Sequence, residues 1–109
     1  MQELNGIKIV FSHPEDTSVI YEVFKQDVYH INEITEGSIV IDIGAHIGTF
    51  ALRCAKERNC IVYAYEPCLR NFQLLNQNIK MNGLDKIKAF NQAIGKSSEM
   101  RKMYFRPRA

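Results

Sequence analysis

The segment SIVIDIGAHIGTF, residues 38–50, constrains the fold more than any other part of the chain. Residues 39–43 are mostly apolar and do not alternate, which predicts a strand buried on both faces, as in the middle of a parallel sheet with helices on each side. Gly44 and Gly48 follow at once and predict a tight turn that opens a helix. The segment therefore indicates a strand–turn–helix unit at the centre of an α/β domain.

Two further strands, residues 60–65 and 86–90, alternate with helices along the chain. The first helix follows the glycine turn and meets a stop at Asn59. The second can begin at Pro67, since a first-turn residue needs no N–H partner, and it ends at Gly83. This β-α-β-α-β run predicts a parallel sheet with right-handed crossovers and the strand order 3-2-1. The alternating lysines of the last strand are typical of a sheet edge.

Two stretches before this unit, residues 6–12 and 18–24, are rich in branched and aromatic residues and flank a turn-forming sequence. They predict an N-terminal β-hairpin. Residues 27–34 place three apolar side chains at helical spacing, so we expect a short helix that ends before Gly37. The predicted fold class is therefore α/β: a partial doubly wound, Rossmann-like parallel sheet preceded by a β-hairpin and a short helix.

The predicted domain has a lead-in, residues 1–37, and a sheet portion, residues 38–109. Residues 100–105 predict a further strand after a turn at residues 95–98. Complete doubly wound sheets continue with more parallel strands, so we expect a truncated chain. The strand of residues 39–43 would keep one unpaired edge, which its own hairpin, a homodimer or a strand exchange would have to cover. A dimer or an exchange is the favoured expectation.

Composition and charge exclude several classes of partner. The net charge of +2 is too small to argue for nucleic-acid binding. No apolar run reaches membrane-spanning length, and the N-terminus has no basic start before an apolar stretch. Cys54, Cys60 and Cys68 form no C-x-x-C pair, which argues against a disulfide framework or a metal site and favours a reduced, cytoplasmic setting. The basic C-terminal stretch is interpreted as a solvated edge or tail.

The ends of the first two sheet strands carry groups that suit a nucleoside ligand. Ligands of such sheets lie at the carboxyl ends of the strands, near the point where the strand order reverses. Gly44 would let a ligand approach the backbone, and the helix opened by Gly48 would attract an anion. Glu66 ends the second strand, where a carboxylate can accept hydrogen bonds from ribose hydroxyls. The alternative is that the glycines only form the turn and that Glu66 only caps the next helix.

The turn itself discriminates between nucleosides. Dinucleotide-binding turns have the spacing G-x-G-x-x-G, whereas this turn reads G-x-x-x-G with His46 at the middle glycine position. A side chain there obstructs a pyrophosphate, so a nicotinamide-dependent oxidoreductase is disfavoured. Asp42, before the first glycine, suits an amine-bearing ligand. S-adenosylmethionine offers an amine, a carboxylate, a sulfonium and a ribose, and it is the predicted cofactor.

Four stretches together resemble the FkbM-type methyltransferases, which are class I enzymes that depend on S-adenosylmethionine. They are VIDIGAHIGTF, YEP followed by NFQLLNQNIKMNG, NQAIG, and the lead-in FKQDVYHINEI. The resemblance covers residues 24–95, and His46 stands where asparagine is usual. It implies an O-methyltransferase that acts on a small-molecule acceptor, or the cofactor-binding portion of one.

The resemblance also implies a set of cofactor contacts. The amino-acid end of the cofactor would lie at Asp42, Gly44 and Gly48, the ribose at Glu66 and the adenine at Asn91 and Gln92, with Tyr29 and His46 lining the pocket. No catalytic residue is assigned. His46, His30 and Asp42 are the titratable candidates for a base that takes the acceptor's proton. A non-catalytic remnant that binds a nucleoside or dimerises is the alternative function.

Overall fold

The computed structural model describes residues 1–95 and 100–106, which contain six strands and three α-helices. The strands are β1 (Gln2–Leu4), β2 (Ile7–Ile9), β3 (Ile39–Ile43), β4 (Ile61–Tyr65), β5 (Ile87–Phe90) and β6 (Arg101–Phe105), and the helices are α1 (Asp16–Tyr21), α2 (Thr49–Arg58) and α3 (Leu69–Met81). The main sheet has the order β5-β4-β3-β6. Since β3, β4 and β5 are parallel, the α/β class and the order 3-2-1 are confirmed, and β5 lies at an edge as predicted.

Helices α2 and α3 cover one face of this sheet. Alternate strand residues are buried on that face, among them Val40, Val62 and Ile87, while Ile39 and Ile61 on the other face are 38% and 40% exposed. The prediction that β3 has helices on both sides is therefore wrong for the described residues. The two right-handed crossovers step in the same direction across the sheet, so both helices lie on the same side. None of the helices in the described ranges is long and apolar enough to cross a membrane.

An N-terminal hairpin is present, but its second strand is not the one predicted. It pairs β1 with β2, whereas all of residues 18–24 lie in α1 and in a π-helical segment at Glu22–Gln26. Ile20, Val23 and Phe24 are buried at the i, i+3, i+4 spacing of a helix face, and this period outweighs the strand preference of the branched residues.

The helix predicted for residues 27–34 is reduced to one 3₁₀ turn at Ile31–Glu33. Asp27 and His30 both adopt left-handed backbone conformations, with φ of 50° and 52°, and a continuous helix cannot pass through such residues. Ile31 and Ile34 are nevertheless fully buried, whereas Val28, the third apolar residue of the predicted helix face, is 44% exposed.

Strand β6 occupies the edge of β3 that we expected to remain open. It pairs antiparallel to β3 along its whole length, from Ile39 opposite Phe105 to Ile43 opposite Arg101. The expectation of an open edge is therefore wrong, and the main reason for expecting a homodimer is removed. A strand at residues 100–105 was predicted, whereas its place beside β3 was not. The turn predicted at residues 95–98 lies almost entirely outside the described residues.

Asn78 of α3 and Asn82, which caps the end of that helix, fasten the N-terminal hairpin to the rest of the domain. Asn78 is buried, accepts the N–H of Val10 at 2.7 Å, and donates to the carbonyls of Val10 at 3.1 Å and Ile47 at 2.8 Å. One helical turn later, Asn82 accepts the N–H of Lys8 at 2.8 Å and donates to its carbonyl at 2.7 Å. The two amides thus satisfy backbone groups of the hairpin as a neighbouring strand would.

Replacing Asn78 by leucine, which has a similar volume, should lower the free energy of unfolding by roughly 2–4 kcal/mol, because the buried carbonyl of Ile47 and two partly buried backbone groups of Val10 lose their partner. Urea unfolding followed by circular dichroism measures this quantity. Gln77→Leu on the exposed side of α3 is the matched control and should change the free energy of unfolding by less than about 0.5 kcal/mol. An Asn78→Leu protein as stable as the wild type would contradict the role given to this amide.

Candidate functional site

The turn between β3 and α2 directs its N–H groups towards β4 rather than outwards. The N–H groups of Gly44 and Ala45 both donate to the carbonyl of Tyr65, at 2.9 and 3.0 Å. The N–H of His46 donates to Oε1 of Glu66 at 2.7 Å. A phosphate cradle needs such groups to be available, and a carboxylate next to them repels an anion. The geometry therefore supports the prediction that this turn does not suit a dinucleotide.

Glu66 joins the turn to the start of α3. Its carboxylate is buried and accepts the N–H of His46 through one oxygen and that of Cys68, at 2.9 Å, through the other. Asn91 donates to the backbone carbonyls of Glu66 and Pro67, at 3.0 and 3.1 Å. Glu66 therefore does support the turn and the start of α3, as the alternative without a ligand expects. A carboxylate has about four acceptor positions, however, so each oxygen retains one for a ribose hydroxyl.

Asp42 is a fully buried carboxylate whose partner comes from β6. Lys102 lies opposite Asp42 in the antiparallel pairing, so both side chains project to the helix-covered face. The Lys102 ammonium group donates to Oδ1 of Asp42 and to the carbonyl of Gly44 at 3.0 Å. Burial raises the pKa of Asp42, and the charge of Lys102 opposes that rise. Oδ2 of Asp42 has no hydrogen-bond partner in the part of the chain that the structure describes.

Two aromatic rings complete the surroundings of the Lys102 ammonium group. Tyr29 and Phe50 meet edge to face with ring centroids 5.0 Å apart. The Lys102 Nζ atom lies 5.6 Å from the Tyr29 centroid and 5.7 Å from the Phe50 centroid, within cation–π range. We call the set of Tyr29, Asp42, Gly44 and Phe50 the ammonium cage. It combines a carboxylate, a carbonyl and two ring faces around one cation.

A cavity of about 210 Å³ lies beside the cage. Its lining includes Tyr29, Gly44, His46, Met100 and Lys102. A side chain at Gly44, where φ is 78°, would place its Cβ 2.5 Å from Cγ of Met100, so the glycine is required by close approach as well as by conformation. Ligand pockets usually have volumes of roughly 300–1,000 Å³, and this cavity, with Met100 and Lys102 in its lining, is smaller.

His46 lies in the turn with a left-handed backbone, φ 58°, and its ring is held by the N-terminal segment. Its Nε2 is 3.3 Å from Oδ1 of Asp16. Burial lowers the pKa of His46, and the charge of Asp16 offsets this only in part. The ring is therefore neutral at physiological pH, the form that can accept a proton. Of the other two candidate bases, Asp42 is engaged by Lys102, and His30 is exposed and does not line the cavity.

The structure brings some of the predicted site residues together and separates others. Tyr29, Gly44 and His46 share the cavity, with Asp42 in the adjoining cage. Glu66, Asn91 and Gln92 lie at the ends of β4 and β5, where Asn91 contacts the Glu66 backbone and Gln92 is exposed. Gly48 faces α3 instead of the cavity, because a Cβ there would lie 2.7 Å from Cδ1 of Leu75.

Sequence reasoning missed four residues of the site: Asp16, Phe50, Met100 and Lys102. The last two were placed in a basic stretch interpreted as solvated, whereas the Lys102 side chain is only 11% exposed. Alternation in residues 100–105 could have put Lys102 on a buried face, but no local pattern indicates that Asp42 is opposite it.

The described residues hold no group of three or more histidine, cysteine or acidic side chains that could bind a metal ion.

The three cysteines are free thiols: Cys54 and Cys60 are buried, and Cys68 is exposed. Burial raises the pKa of the Cys54 thiol, which disfavours the reactive thiolate.

Comparison with known proteins finds methyltransferases. The chain is 36% identical over 52 residues to a tRNA (guanine(37)-N(1))-methyltransferase of Pediculus humanus subsp. corporis, and 37% identical over 50 residues to the protein of the same name from Batrachochytrium dendrobatidis. In structure it matches Pyrococcus horikoshii TYW2 in complex with MeSAdo, with a TM-score of 0.60 and 28% identity over 83% of this chain. No protein-family model matches the chain.

These matches cover little of the other proteins. The two sequence matches take up 48% and 46% of this chain but 11% and 10% of the curated relatives, and the structural match takes up 34% of the TYW2 chain. The chain thus resembles part of an S-adenosylmethionine-dependent methyltransferase with a Rossmann-like fold. The narrower resemblance to the FkbM type has no support among these matches.

Asp16→Asn should destabilise the protein at pH 7 by about 1–3 kcal/mol, and the difference should shrink below about pH 4. Burial raises the pKa of Asp16, but hydrogen bonds from the backbone outweigh it, together with the charge that His46 carries in the acidic range where Asp16 titrates, so the pKa is lower than usual. A lowered folded-state pKa stabilises the fold above the unfolded-state pKa, and this contribution is lost as the pH falls through the folded-state pKa. Urea unfolding at pH 7 and pH 3 tests this.

Glu15→Gln, at the exposed neighbouring position, is the control for this measurement and should leave the stability nearly unchanged at both pH values. An Asp16→Asn protein that is destabilised equally at pH 7 and pH 3 would show that the charge of this carboxylate contributes nothing.

Proposed function

We propose that this chain is the cofactor-binding part of a class I methyltransferase that uses S-adenosylmethionine. The observation that carries the proposal is the contact between the end of β4 and the turn after β3, where Glu66 binds the backbone of His46 at 2.7 Å. The carboxyl ends of β3 and β4 thereby present two carboxylates, those of Asp42 and Glu66, on either side of one glycine turn. This edge of the sheet is where nucleoside ligands of such folds bind.

Each part of the cofactor has a proposed partner. The amino-acid end is assigned to Asp42 and the carbonyl of Gly44, since these groups already hold an ammonium group. The ribose is assigned to Glu66, whose oxygens keep free acceptor positions. The adenine is assigned to the region of Asn91 and Gln92. When bound, the cofactor supplies a sulfonium that is already an activated methyl donor, so the protein's task is to align the acceptor with it.

The two resemblances agree on the cofactor and differ on the acceptor. The FkbM resemblance implies a small molecule with a hydroxyl group, whereas the curated relatives are named for a guanine of tRNA. The relatives thus oppose our expectation that no nucleic acid is bound. We favour a guanine base of RNA as the acceptor, because the matched relatives that are named for it share 36% and 37% sequence identity with this chain over about half of its length. His46 is the proposed base, since its neutral ring lines the cavity and Asp16 holds it in place.

Titration calorimetry with S-adenosylhomocysteine, methylthioadenosine and NAD tests the cofactor class. The first two ligands should bind and NAD should not, because the inward-directed N–H groups of the turn leave little to hold a pyrophosphate. Binding of NAD alone would contradict the proposal. Binding of nucleosides without transfer of a labelled methyl group to tRNA or to small hydroxyl compounds would instead favour the non-catalytic alternative.

Glu66→Ala should weaken S-adenosylhomocysteine binding by roughly 2–3 kcal/mol, through the loss of charge-assisted hydrogen bonds to the ribose. Because Glu66 also holds the turn and the start of α3, circular dichroism must first show that the variant is folded. Asp85→Ala, an exposed acid between α3 and β5, is the control for the change in net charge. Unchanged affinity in a folded Glu66→Ala protein would show that this carboxylate serves the turn and the helix alone.

A further inference from the structure

The ammonium cage is a cation site whose occupant comes from the chain itself. The Lys102 Nζ atom is bound by the carboxylate of Asp42 and the carbonyl of Gly44, and it lies beside the ring pair of Tyr29 and Phe50, within cation–π range of both. These contacts are also those that a primary ammonium group of a ligand would need, because charge-assisted hydrogen bonds and ring faces both favour a cation. The cage therefore does not distinguish a lysine of the protein from an amine of a ligand.

We propose that Lys102 is an internal competitor for the amine subsite of the cofactor, and that the cofactor binds by exchanging its α-ammonium group for that of Lys102. This inference rests on the proposed function, since it is the cofactor's amino-acid end that carries the competing amine. One ammonium group replaces another, so the charge of Asp42 stays balanced throughout, and no covalent bond changes.

The space around the cage supports this exchange. Met100 and Lys102 both line the cavity, and Met100 occupies the space that a Cβ at Gly44 would need, so the two side chains border the volume into which a ligand would extend. Oδ2 of Asp42, which has no partner among the described residues, offers a second acceptor to an incoming amine. The pairing of β6 with β3 is made by backbone groups, so Lys102 can withdraw by rotating its side chain while the strand stays in place.

A fixed structural ion pair is the competing explanation, and Lys102→Met separates the two. Methionine keeps the apolar stem and removes the ammonium group. If Lys102 competes with the cofactor, S-adenosylhomocysteine should bind to the variant on the order of tenfold more tightly than to the wild type, because Asp42 then lacks its internal partner. Methylthioadenosine has no amino-acid end, and its affinity should change by less than about twofold. Lys88→Met on the exposed face of β5 is the matched control.

A second measurement uses the wild-type protein, in case the variant does not fold with Asp42 unpaired. Lysine acylation by a succinimidyl ester, read out by mass spectrometry, reports whether an ammonium group is free. Acylation of Lys102 should be slow in the free protein and should rise on the order of tenfold when S-adenosylhomocysteine is bound. Methylthioadenosine should not produce this rise, and acylation of the exposed Lys88 should be the same in all three states.

The outcomes distinguish the two levels of the proposal. Affinity for S-adenosylhomocysteine that is unchanged or weaker in a folded Lys102→Met protein would overturn the competition, and so would continued protection of Lys102 in the bound wild type. In both cases nucleoside binding itself would persist, and the proposed function would stand. Absence of binding by either nucleoside to any variant would overturn the proposed function and, with it, this inference.

Discussion

The buried carboxylate of Asp42 is the constraint on which the arrangement of the sheet and the site depends. An isolated charge in an apolar core costs several kcal/mol, so Asp42 must be protonated or paired. Lys102 supplies the charge, and it can do so only because β6 lies antiparallel to β3 with these two residues opposite each other. The ion pair therefore links the register of the edge strand to the charge state of the turn.

The rest of the turn is also held by side chains from other elements. Glu66 holds the backbone of His46 from the side of β4, and Asn78 holds the carbonyl of Ile47 from the side of α3. Asn78 also binds the end of the hairpin, so the N-terminal segment, which carries Asp16 to His46, is fastened to the turn through one buried amide. The turn is thus a junction where three parts of the chain meet, which fixes its shape before any ligand binds.

Short-range patterns predicted the parallel core because its determinants are local. The glycine turn, Asn59 with its left-handed conformation and the alternating edge strand all behave as the sequence indicates. The strand predicted at residues 18–24 was wrong. Branched residues favour strands, but the burial of Ile20, Val23 and Phe24 follows a helical period. His46 adopts a left-handed backbone conformation, with φ of 58°, which asparagine adopts more readily than histidine, so local propensity does not account for the histidine.

The ammonium cage shows why the site was harder to predict than the fold. Tyr29, Asp42 and Gly44 could be chosen from motifs, but their occupant is set by long-range pairing between β3 and β6, for which the sequence gives no local signal. The functional consequence is quantitative. If the state with Lys102 in the cage is favoured about tenfold over the open state, as the proposed competition expects, the apparent affinity for the cofactor falls by about the same factor, or about 1.4 kcal/mol. Any strand that replaced β6 beside β3 without a lysine opposite Asp42 would remove this penalty. The affinity of the site for the cofactor therefore depends on which strand pairs with this edge of β3.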